Sequence, residues 1–116
     1  MKHDNFKGFL TTQFAKAIRL RGEWEDGIIK CHMPNSYGTF WAFSNLVDFS
    51  YVNEVPMQLM DVIDIGDYKI RKPLYVKVLK RTISSINIEF RRDPAIESLG
   101  PGSDSDITCI LHFRNA

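Results

Sequence analysis

Phe14-Ala-Lys-Ala-Ile-Arg-Leu-Arg-Gly-Glu-Trp-Glu-Asp-Gly-Ile-Ile-Lys-Cys-His-Met-Pro34 reads as a strand, a tight turn at Gly22 and a second strand stopped by proline. Its counterpart at the other end is Ser85-Ile-Asn-Ile-Glu-Phe90 followed by Asp106-Ile-Thr-Cys-Ile-Leu-His-Phe-Arg114. Side chains alternate across a strand, so Ile86, Ile88 and Phe90 share one face, opposite Asn87, Glu89 and Arg91. By the same period Ile107, Cys109, Leu111 and Phe113 form an inward face, opposite Asp106, Thr108 and His112. Ile110 interrupts the polar side, which predicts burial on both faces of that strand. The Gly/Pro/Ser/Asp-rich stretch from Asp93 to Asp106 reads as the surface loop of a hairpin.

Working outward, further strands are expected over Thr11 to Phe14, Trp24 to Cys31, Val47 to Val52, Met57 to Ile65 and Leu74 to Leu79, with Gly66-Asp67 and Pro73 punctuating the last two. Short strands at close spacing predict an all-β fold, a small antiparallel β-sandwich of jelly-roll type, over one domain, residues 1–116. A chain of this length, 44% hydrophobic and 25% charged, has the composition of a globular domain with a single core. No apolar run approaches a membrane span, and Met1-Lys-His-Asp-Asn lacks a signal-peptide core, so an intracellular product with no membrane association is expected. Cys31 and Cys109 stand far apart in sequence and make no disulfide framework; both are expected as buried free thiols.

Several of these stretches carry a family likeness. Ile18-Arg-Leu-Arg-Gly-Glu-Trp-Glu25 with Met33-Pro34-Asn-Ser36, Asn45-Leu-Val-Asp-Phe-Ser-Tyr-Val52 with Met57-Gln-Leu-Met-Asp-Val-Ile63, Pro73-Leu-Tyr-Val-Lys-Val78, and the terminal Leu111-His-Phe-Arg114 occur in an order that resembles the minor capsid, or penton, protein of Polinton/Maverick-type DNA transposons and the related adintoviruses. Asp26 stands where that family usually has valine, and Asn53-Glu54 where it has Gly-Asp; the middle region is shortened to about ten residues between Pro34 and Asn45. The resemblance implies a capsid structural protein, or a domesticated relative, that self-assembles, as a pentamer at capsid vertices, beside a major capsid protein. It places the chain in a virion if viral, and otherwise in cytoplasm or nucleus. It also favours extended structure over Leu10 to Leu20, where Phe6, Leu10, Phe14, Ala17 and Ile18 approximate a helical stripe that keeps helix as the lesser alternative.

Charge falls in blocks. Residues 31–68 hold five acidic and no basic residues, whereas residues 69–92 hold eight basic and one acidic. Either these are solvated faces, or a basic patch around Lys69, Arg71, Lys72, Lys80 and Arg81 meets an acidic neighbour or makes nonspecific contact with nucleic acid. The near-neutral total argues against a dedicated nucleic-acid binder. Tyr37, Phe40, Trp41 and Phe43 cluster after Pro34, as core, as subunit contact, or as an aromatic loop that lets a monomeric β-sandwich bind a ligand or glycan. Trp24 reads as a core anchor. Cys31 and His32 are adjacent and point to opposite strand faces, His3, His32 and His112 lack metal-ligand spacing, and Asp104 and Asp106 lack the rest of a calcium loop. No enzyme, cofactor or metal is therefore expected.

Overall fold

The computed structural model describes residues 9–33, 38–65, 72–95 and 107–116. Nine strands lie among them: β1 (Phe9–Arg19), β2 (Trp24–His32), β3 (Gly38–Ser44), β4 (Ser50–Val52), β5 (Val55–Met57), β6 (Leu59–Ile65), β7 (Val76–Lys77), β8 (Thr82–Arg91) and β9 (Thr108–Asn115). Their pairing is nested. β4 pairs with β5, β3 with β6, β2 with β7 and β1 with β8, each antiparallel. One long ribbon folded back at the β4–β5 turn makes these pairs, and wound up it gives the two sheets of a jelly roll.

The winding is closed by β3 against β8, which sets one sheet in the order β1-β8-β3-β6. The other sheet has the order β7-β2-β9. Leu46 to Asp48 extends it: Val47 bridges Val78, the Asp48 N–H donates to the Lys77 carbonyl at 2.9 Å, and the Leu79 N–H donates to the Leu46 carbonyl at 2.7 Å. β9 lies outside the nested set and, among the described residues, pairs with β2 alone.

Both sheets contribute to one core. Ile28 and Cys31 of β2 meet Phe40 and Ala42 of β3, Met60 and Ile63 of β6, and Ile83, Ile88 and Phe90 of β8, with Met33, Leu46, Val47 and Ile107 completing the cluster. Burying one such large apolar side chain contributes about 1.5–3 kcal/mol, which offsets the ordering of the short strands. The alternation expected of β8 and β9 holds at Ile88, Phe90 and Ile107, which are buried, and at Ile86, Cys109, Leu111 and Phe113, which pack against the core half-buried.

The partners differ from the sequence expectation. β8 and β9 lie in different sheets and are not hairpin partners; the expected loop between them falls largely outside the described residues. β1 and β2 are likewise split between the sheets, with Gly22 at φ 82° in the connection. The helical alternative over Asn5 to Leu20 fails in its described part, because Phe9–Arg19 is a strand along β8. Leu10 and Phe14 pack against the core, whereas Ala17 and Ile18 are exposed at a bulge: Gln13 faces Ser85 and Ile18 faces Ile83, leaving Phe14 to Ala17 opposite Ser84. Ile110 is 44% exposed on the outer face of β9, an edge strand among the described residues. Val47 to Val52 is not one strand: Leu46 and Val47 join the core, and β4 starts only at Ser50.

Candidate interaction surface

Three of the sequence stretches quoted above meet on the outer face of the β7-β2-β9 sheet. Gly27 of β2 is opposite His112 of β9. A Cβ at Gly27 would stand 2.9 Å from the Leu74 carbonyl oxygen and 3.2 Å from the Tyr75 ring, so the missing side chain lets Tyr75 cross the strand. Tyr75 Oη then lies 2.7 Å from His112 Nδ1, and the rings meet edge to face at 5.7 Å. The Arg114 guanidinium lies over the Tyr75 ring at 3.5 Å and pairs with Glu25. This brace ties the lead-in to β7 and the last strand together across β2.

Directly beneath it, Asp26 points inward and is 0% exposed. Its register partners are Val76 and Phe113, and neither carboxylate oxygen has a hydrogen-bonding partner. Burial raises its pKa from 3.8 to about 7, with the nearby Gly27 N–H offsetting part of the rise. Asp61 is also pushed upward by burial, but it accepts from the Val62 N–H at 2.7 Å and the Leu74 N–H at 3.3 Å. A perturbed carboxyl can mark a reactive site; Asp26 has no solvent-exposed surface among the described residues.

Among the described residues, the most exposed apolar feature is the β4–β5 hairpin. Asn53 and Glu54 have φ 50° and 67°, the left-handed pair of a tight two-residue turn, and Val52 faces Val55 across it. Around it Tyr51 is 80% exposed, Phe49 57% and Val55 50%. Beside the hairpin runs an open groove of about 420 Å³, lined by Pro56, Met57 and Gln58 on one side and by Phe43, Asn87 and Arg91 on the other. Arg91 covers the Phe43 ring at 4.8 Å and pairs with Glu89 at 2.9 Å, so an ion pair lines the groove beside the ring.

The residues expected at an interface are scattered. Tyr37, Lys69 and Arg71 lie outside the described residues, as do Asp104 and Asp106. Phe40 is not a surface residue: β3 is an interior strand, its inward face takes Phe40 into the core, and no aromatic loop exists over Gly38–Ser44. Trp41 faces outward, half-buried, opposite Val62 and Arg91. Lys72 is exposed beside the Leu74–Asp61 contact. Lys80 and Arg81 are exposed at the β7–β8 link, where the Leu20 N–H donates to the Arg81 carbonyl at 2.7 Å. With Lys77, Glu23 and Trp24 they line a polar cleft of about 140 Å³. Trp24 is half-buried there, outside the core cluster, its indole N–H on the Arg21 carbonyl at 2.7 Å. Two short sequence distances thus become a basic end of the sandwich, with Arg19 and Arg21 next to it.

No protein-family model, curated protein or solved structure matches the chain. No helix among the described residues is long and apolar enough to cross a membrane. No group of three or more His, Cys, Asp or Glu among the described residues could hold a metal ion. Sequence reasoning missed the exposed hairpin, whose signal was the Asn-Glu dipeptide between the Phe49-Ser-Tyr-Val52 and Val55-Pro-Met57 runs, and it missed Gly27, whose signal was a glycine inside a strand pattern.

Proposed function

We propose that this chain is a structural subunit that works by self-assembly, a minor-capsid-like jelly roll or a domesticated relative of one. The observation that carries the reading is the β4–β5 hairpin, which holds Phe49, Tyr51 and Val55 out in solvent on a stiff two-residue turn. Large exposed aromatic residues beside a groove whose lining includes Phe43, Pro56 and Met57 among polar side chains favour a protein contact, because burying them removes apolar surface from water. A hairpin on one copy entering the groove of the next is a head-to-tail contact, which closes into a ring when the rotation permits. The nested strand order and the family likeness are compatible with this reading, although a fold by itself assigns no function. A major capsid protein is the heterologous partner the likeness suggests, and the basic end at Lys77, Lys80 and Arg81 suits an acidic neighbour or nucleic acid.

The test is the mass of the particle in solution, measured by light scattering after size exclusion over a wide concentration range. Assembly of the native chain, and a folded monomer for Tyr51→Ser combined with Val55→Ser, is the expected pair of results. A native chain that stays monomeric at high concentration removes self-assembly as its function.

A further inference from the structure

Cys31 and Cys109 are direct register partners across β2 and β9. Paired residues on antiparallel strands project to the same side, here the core, and the two Sγ atoms stand 3.3 Å apart. Cα atoms of such partners lie about 4.5–5.5 Å apart, inside the range of about 4.4–6.8 Å that disulfides span. Bond formation needs the sulfurs to close by only about 1.2 Å, to the usual length near 2.05 Å, which a small rotation about each Cα–Cβ bond supplies. The thiols are also the contact at which β9, paired among the described residues with β2 alone, can be fixed covalently.

We propose that Cys31 and Cys109 form a modification site, oxidised by a hydroperoxide to an intrachain disulfide that latches the last strand to the second. Cys109, the more exposed of the two, reacts first. Its proton leaves, its sulfur bonds to the distal peroxide oxygen, and the O–O bond breaks, giving a sulfenic acid and water. The Cys31 sulfur then attacks the Cys109 sulfur. An S–S bond forms, the S–O bond breaks, and the hydroxyl leaves as water with the Cys31 proton. In sum, two thiols and hydrogen peroxide give one disulfide and two waters. The neighbouring Cys31 thiol and burial both hold the Cys109 proton tightly, so the first step is slow while β9 is docked and speeds up as that edge strand frays.

The full chain is treated with hydrogen peroxide under native conditions, and its intact mass, thiol titre in denaturant and proteolytic peptides are followed. Both thiols should vanish together from a product of single-chain covalent mass that is lighter by two hydrogen atoms, with the peptides holding Cys31 and Cys109 joined until a reductant is added. The oxidised chain should melt about 10 °C higher than the reduced one. In Cys31→Ser the reaction should stop at a trappable Cys109 sulfenic acid. If that variant does not fold, peptide mapping of the native chain decides alone. Gain of oxygen on each cysteine separately, disulfides between chains, or persistence of both thiols overturns the proposal.

Discussion

Replacing Asp26 by asparagine should remove a pH dependence of stability that the fold builds into β2. The carboxyl is fully buried between Val76 and Phe113 with neither oxygen hydrogen-bonded, so its charged form is disfavoured and its pKa rises to about 7. In the unfolded chain it ionises near 3.8. The folded state therefore binds the proton more tightly, and folding is most favourable below the unfolded value. Stability falls as pH rises from there to about 7, beyond which the full cost of a buried charge applies. At about 1.4 kcal/mol per pH unit, the gap between the two values amounts to roughly 4 kcal/mol. Asp26→Asn cannot ionise. It should match the native chain near about pH 4 and exceed it by up to about 4 kcal/mol near about pH 8. Urea unfolding followed by Trp24 and Trp41 fluorescence gives both curves. Asp61 titrates in the same direction, so the difference between the two proteins, not the native curve, is diagnostic. Asp26→Val should also gain stability at high pH, since an apolar side chain suits that slot. A difference that stays constant within about 0.5 kcal/mol across this range would show that the carboxylate ionises in contact with water, and the packing argument would be refuted.

Phe90→Ala should cost about 3–5 kcal/mol in the same assay, because the ring is fully buried, whereas Phe113→Ala on the half-exposed edge strand should cost distinctly less; equal losses would contradict the placement of β9. Gly27→Ala should destabilise by about 1–3 kcal/mol, since its methyl group meets the Leu74 carbonyl and the Tyr75 ring, and an unchanged unfolding midpoint would remove the brace across β2. Reversing Lys80 and Arg81 to Glu should weaken assembly while altering monomer stability by less than about 0.5 kcal/mol, as read by light scattering and urea unfolding. Normal assembly of that variant at low and high salt would leave the apolar hairpin as the whole contact.

The sequence by itself determined the class of structure and which side chains turn inward. Alternation at Ile86, Ile88 and Phe90, and at Ile107, Cys109, Leu111 and Phe113, follows from the two-residue period of an extended chain, a local property that needs no partner. Tertiary structure decided who pairs with whom. The strands flanking Gly22, and β8 with β9, read as neighbours in sequence and in space, yet each pair is split between the sheets, because the nested winding gives β1 the partner β8 and β2 the partners β7 and β9. Pairing at such separations depends on the global closure of the sandwich, and no local pattern encodes it. The same closure moves Phe40 from a supposed surface loop into the core, brings Cys31 and Cys109 to 3.3 Å across 78 positions, and seals Asp26 away from water. These features arise where distant strands meet. For that reason the chemistry of this chain is legible only once it is folded.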